Sequence, residues 1–172
     1  LPPAPAPTTA TTAVSYAVPA QIDAAYVGRV MQALDHVYGD AIRIMARDRA
    51  VDEPFLKHLL ALYTDRFFRL AQDAWVKESA MGLGTLAPQP GDPVTTVTHL
   101  LRAEPTCVVA EAVRDFGPIR TTPPEQPPHR YIALVPSAAD RDPGHLNPTP
   151  WVMTYDGYTD DGSPPEDPCR AS

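Results

Sequence analysis

Apolar positions between residues 21 and 49 advance by three or four: Ile22, Tyr26, Val30, Ala33, Leu34, Val37, Ala41, Ile44 and Met45. That period keeps one stripe of a helix apolar and predicts a long amphipathic helix from Gln21 to about Arg49. Pro19 precedes it, and Asp23 falls in the first turn, where the helix dipole favours a carboxylate. Gly39 costs about 1 kcal/mol of helix propensity and marks the place for a bend. A second helix follows, with Asp52 as N-cap, Pro54 tolerated in the first turn, and Phe55, Leu59, Leu60 and Leu62 inside, ending near Tyr63. Thr64 or Asp65 then caps a third. Its inner face carries Phe67, Phe68, Leu70, Ala71, Ala74 and Trp75, and Met81-Gly82-Leu83-Gly84 ends it.

After Gly91 the period changes. Val94 to Ala103 is rich in Val, Thr and Leu, Cys107 to Phe116 resembles it in length, and the short Glu104-Pro105-Thr106 link suits a hairpin. Pro-rich loops bracket two further apolar runs, Tyr131-Ile132-Ala133-Leu134-Val135 and Trp151-Val152-Met153-Thr154-Tyr155. Helices first and strands afterwards give an α+β fold, with long N-terminal helices packed on one face of a mainly antiparallel sheet of about four strands. The chain divides into a Pro/Ala/Thr-rich extended arm (1–19), an α+β domain (20–160) and an acidic Pro-rich tail (161–172).

Composition sharpens this division. Of 22 prolines in 172 residues, four lie in the first seven positions and sixteen from Pro88 onward, leaving the helical block nearly free of them. The arm cannot bury apolar surface, and its prolines favour extended polyproline II. Such arms follow the signal peptides of exported bacterial proteins, so an extracytoplasmic, envelope-associated location is expected. The start at Leu1 leaves room for a leader or lipid anchor upstream. No apolar run is long enough to span a bilayer. The formal charge of −7 and the absence of a basic stripe argue against nucleic acid. Two cysteines, Cys107 and Cys169, lack metal-ligand spacing, and in an exported chain they predict one disulfide.

A resemblance joins these features. The long helix with Tyr38-Gly39-Asp40-Ala41, then Ala61-Leu62-Tyr63-Thr64 and a Phe/Trp-bearing helix, is similar to exported actinobacterial proteins of unknown role. So is the run from Asn147 to Gly157 (NPTPWVMTYDG). These resemble the nuclear-transport-factor-like superfamily, which implies a cone in which a curved sheet wraps a long helix. The superfamily includes isomerases, dehydratases and non-catalytic modules, so the resemblance implies a shape rather than a reaction.

Candidate chemistry is sparse. An isomerase of that kind needs a carboxylate base and a buried acid facing an apolar pocket. Asp35, Asp40, Asp65, Asp73 and Asp115 are available, and Asp40 beside Tyr38 is the most suggestive pair, but none sits in a catalytic motif. The five histidines lack metal-ligand spacing, and no cofactor is expected. Asp156, Asp160, Asp161, Glu166 and Asp167 do not fit a calcium loop and read as a solvated acidic face. Seven residues are expected to converge on a pocket between helices and sheet: Tyr26, Tyr63, Phe67, Trp75, His99, Trp151 and Tyr155.

The function expected first is a non-enzymatic exported accessory or assembly module. It would bind a protein partner, or itself, through the N-terminal arm. The alternative is a small hydrophobic ligand binder or a lyase/isomerase that uses the fold's interior. A filled interior favours the first; an open apolar pocket with a buried carboxylate favours the second.

Overall fold

A computed structural model of the chain describes residues 15–122, 128–138, 140–159 and 162–170. The arm falls almost wholly outside these residues, as do Asp160 and Asp161. Among the described residues three helices precede four strands: α1 (Ala24–Asp48), α2 (Glu53–Leu62), α3 (Asp65–Ala80), β1 (Val94–Glu104), β2 (Cys107–Asp115), β3 (His129–Pro136) and β4 (Trp151–Gly157). The strands form one antiparallel sheet in the order β1-β2-β3-β4. The α+β class and the antiparallel sheet are those the change of period predicts.

The caps explain where the helices start. Asp23 and Asp52 accept hydrogen bonds from the backbone N–H groups of Tyr26 and Phe55, which would otherwise lack partners in the first turns of α1 and α2. Pro105-Thr106 closes the β1–β2 hairpin between paired Glu104 and Cys107. α1 runs through Gly39, the expected place for a bend, without interruption. The glycine has a different use: a Cβ there would lie 1.9 Å from Asp92 Oδ1 and 3.0 Å from Asp92 Cα. Its bare face admits Asp92, which accepts from Arg43 Nη1 at 2.8 Å and lies 2.8 Å from His36 Nδ1.

Side chains alternate across the sheet and so bury against two layers. Val108, Ala112, Ile132, Leu134, Trp151 and Met153 join the α1 and α2 side chains in the main core. Cys107, Val109 and Ala133 face the other way and are covered by Tyr155 and Cys169. There the predicted disulfide is formed: Cys107 and Cys169 are bonded, with Cα atoms 5.8 Å apart. It pins the C-terminal segment over the second face of the sheet.

α3 is packed differently from its neighbours. Of its residues only Trp75 is fully buried, and Leu70 is 56% exposed. The helix is fastened at its ends. Beside its first turn Thr64 N–H donates to Met153 O at 3.0 Å, and Arg141 reaches Tyr63 O and Asp65. Towards its last turn Arg120 bonds Glu78 and Thr85. Between these anchors Trp75 enters the main core and Phe67, Phe68 and Ala71 rest against it, while Leu70 is left outside.

Candidate functional site

The space beneath α3 is a cavity of about 990 Å³. Tyr63, Phe67, Leu70, Ala71, Ala74 and Trp75 supply its helical wall. Phe116, Arg120, Thr121, Thr122, Pro128, Arg130 and Asp156 supply the sheet side, with Tyr38 from α1 between them. Aromatic rings hold the wall in place: Tyr63 meets Phe67 edge-on at 4.9 Å, and Trp75 meets Phe55 at 5.8 Å.

The floor is charged. Arg114, on the inner face of β2, is 1% exposed. Its Nη2 donates to Asp35 Oδ1 of α1 at 2.8 Å, and its Nη1 donates to Asp156 Oδ2 of β4. Arg130 Nη1 takes the other Asp156 oxygen at 2.9 Å. Two cations and two carboxylates thus neutralise one another, as burial in a medium of low dielectric requires. The guanidinium of Arg114 also lies 5.4 Å from the Tyr38 ring centre and 4.9 Å from that of Phe116, while Arg130 sits 5.1 Å from Phe116.

A strand irregularity creates this floor. Strict alternation along β4 would put Trp151, Met153 and Tyr155 on one face and turn Asp156 to the other. The register instead slips by one residue between Ala133 and Leu134, so Met153 pairs with Leu134, Tyr155 with Ala133 and Asp156 with Ile132. Thr154 is the extra residue of a β-bulge. Beyond it Tyr155 points outward and Asp156 points in. Asp156 is therefore no part of a solvated acidic face; its side chain is 8% exposed.

Proton affinities follow from these contacts. Burial pushes Asp156 up, but Arg114 and Arg130 more than offset it and hold the carboxyl below its ordinary range. At Asp35 burial outweighs the opposing pull of Arg114 and Thr95, and the carboxyl lies above its ordinary range; its Oδ2 has no hydrogen bond of good geometry among the described residues. Burial raises the Tyr38 and Tyr63 hydroxyls, which stay protonated. A carboxylate so tightly held is a poor general base, and the floor is better suited to orienting a molecule than to moving its protons.

The structure brings Tyr63, Phe67 and Trp75 together on the cavity wall. It does not bring the other four expected residues there. Tyr26 and Trp151 are bonded to each other in the core, Trp151 Nε1 donating to the Tyr26 hydroxyl at 2.8 Å. His99 is exposed on β1, its Nδ1 3.0 Å from Glu111 Oε2. Tyr155 is turned by the bulge toward the disulfide and borders a separate cleft of about 240 Å³. Tyr38 and Asp40 point apart, as residues two positions apart on a helix must: Tyr38 is buried, and Asp40 pairs with Arg43 at the surface. Among the acids weighed from the sequence as catalytic candidates, Asp35 reaches the buried cluster; Asp156, read as part of a solvated acidic face, reaches it too. Arg114 and Arg130 escape sequence reasoning because a charge within or beside a strand-like run does not show which face it occupies.

No protein-family model, curated protein sequence or solved structure matches this chain.

Proposed function

We propose that this protein is a binding module whose cavity holds a small, largely apolar molecule without transforming it. One observation carries the reading: α3 buries Trp75 in the main core yet leaves Phe67, Leu70, Ala71 and Ala74 lining a pocket of about 990 Å³. That volume is at the upper end of ordinary ligand sites, and such sites combine apolar walls with a few fixed polar groups. Open space and a buried carboxylate, Asp156, support the ligand-binding alternative over a filled interior. The restrained basicity of Asp156 supports binding over isomerase chemistry. The resemblance to the nuclear-transport-factor-like superfamily fits the same reading, since a cone-like fold offers its interior to ligands. The disulfide is at home in an oxidising compartment, which supports an extracytoplasmic location. Assembly through the Pro-rich arm remains a separate proposal, tested by deleting residues 1–18 and measuring assembly.

The test of the binding reading is a titration with N-phenyl-1-naphthylamine, a neutral probe that fluoresces in apolar surroundings. Saturable binding is expected in the native protein. Ala71→Trp, which fills the cavity from α3, weakens it at least tenfold while the unfolding temperature stays within a few degrees. Equal binding by both proteins would contradict the proposal.

A further inference from the structure

Resting on the binding reading above, we infer that the cavity's ligand is a carboxylate-bearing amphiphile, with its apolar body along α3 and its head group at Arg130. The polar lining is rich in donors and poor in acceptors. Asp156 is the one carboxylate of the lining, and each of its oxygens already accepts from an arginine. The other charged groups of the lining are the guanidinium donors of Arg120 and Arg130. Arg130 lines the cavity and uses Nη1 for its bond to Asp156; its Nε is enclosed by protein, which leaves the outer Nη donors as the groups a ligand can reach. A guanidinium carries five donors in a planar fork that matches a carboxylate. Phe116 stacks near this fork at 5.1 Å and helps fix its plane. Arg120 supplies a second cation to the lining, its own partner Glu78 lying 3.3 Å away outside the pocket wall. Phe67, Leu70 and Trp75 opposite make the remaining surface apolar. A cation-headed ligand would meet two arginines, and an uncharged one would leave the free donors of Arg130 without a charged acceptor.

Isothermal titration with decanoate, decanol and decyltrimethylammonium, each below its micelle concentration at pH 7, tests this. Decanoate is expected to bind at least tenfold more tightly than decanol, with the cation weakest. Arg130→Gln brings decanoate down toward decanol. Arg120→Gln, which leaves the buried cluster intact but removes a bond at the end of α3, reduces the preference in the same direction, and an unchanged affinity for decanol in both variants shows that the apolar wall is undisturbed. Lengthening the acid by one methylene tightens binding about fourfold, the equivalent of roughly 0.8 kcal/mol of buried CH₂. Equal affinity for decanoate and decanol in the native protein overturns the head-group assignment and leaves the cavity reading standing. Tighter binding of the cation overturns it as well. Binding of none of the three overturns both.

Discussion

Arg114 divides its guanidinium between carboxylates of two different elements, Asp35 on α1 and Asp156 on β4. Removing it leaves both charges buried with less compensation. Arg114→Met should therefore cost about 3–5 kcal/mol of stability, read from urea unfolding. The two carboxylates differ in their response to substitution. Asp156 is stabilised in its charged form, and Asp156→Asn should cost about 3 kcal/mol. Asp35 is already disfavoured as an anion, so Asp35→Asn should cost clearly less. The sign of the pH effect follows. A depressed folded pKa stabilises the protein above the unfolded value, about 3.9, and the gain is lost as pH falls through the folded value. Stability contributed by Asp156 should thus drain away below about pH 4, and Asp156→Asn should flatten that acid limb. A limb of unchanged slope would count against the pairing. Gly39 gives a second test at this scale: Gly39→Ala gains about 1 kcal/mol of helix propensity, yet the new methyl meets Asp92. A net loss of about 1–2 kcal/mol is expected by urea unfolding, because overpacking against backbone outweighs propensity.

At the level of elements, the segments that sequence periodicity describes well are those whose burial is one-sided. α1 keeps its stripe of Val30, Leu34, Val37 and Ala41 against the core, and its period is visible without the fold. The strand runs are visible for the same reason, as is the turn at Pro105-Thr106. The bulge at Thr154 is not, since no glycine or proline marks it and register is fixed by pairing with β3. That single residue separates Trp151 from Tyr155 and turns Asp156 inward, so a pocket assembled by alternation alone goes astray there. His99 was out of reach for a related reason: β1 carries two further register shifts and leaves most of its length exposed. Such bulges on an edge strand also hinder pairing with other sheets. The disulfide belongs to this scale too. It closes a loop of 62 residues, and replacing both cysteines by alanine should cost about 4 kcal/mol in the chain-entropy model. Hydrogen exchange should show residues 162–170 losing protection while β2 and β3 keep theirs. Undiminished protection of the tail would mean that its side chains, rather than the bond, hold it down.

For the molecule as a whole, the fold is a frame for a cavity. α1 and α2 supply most of the helical core, whereas α3 adds Trp75 and leaves part of its apolar side facing the pocket. On the proposed binding reading, a ligand would give that side the burial an amphipathic helix seeks. Both oxygens of Asp156 are already paired with arginines, so the proposed site would need little reorganisation on entry. Phe67 and Trp75 share one face of α3 through helix spacing, and Tyr63 joins them from the link that precedes it; the arginines opposite depend on strand register and were not legible. The most direct measurement is the anomalous diffraction of crystals grown with 10-bromodecanoate. The account predicts a bromine peak inside the cavity, against Phe67, Leu70 and Trp75, and the carboxylate within hydrogen-bond distance of Arg130. Crystals in which the protein binds the compound in solution but bromine appears only outside this cavity would contradict it.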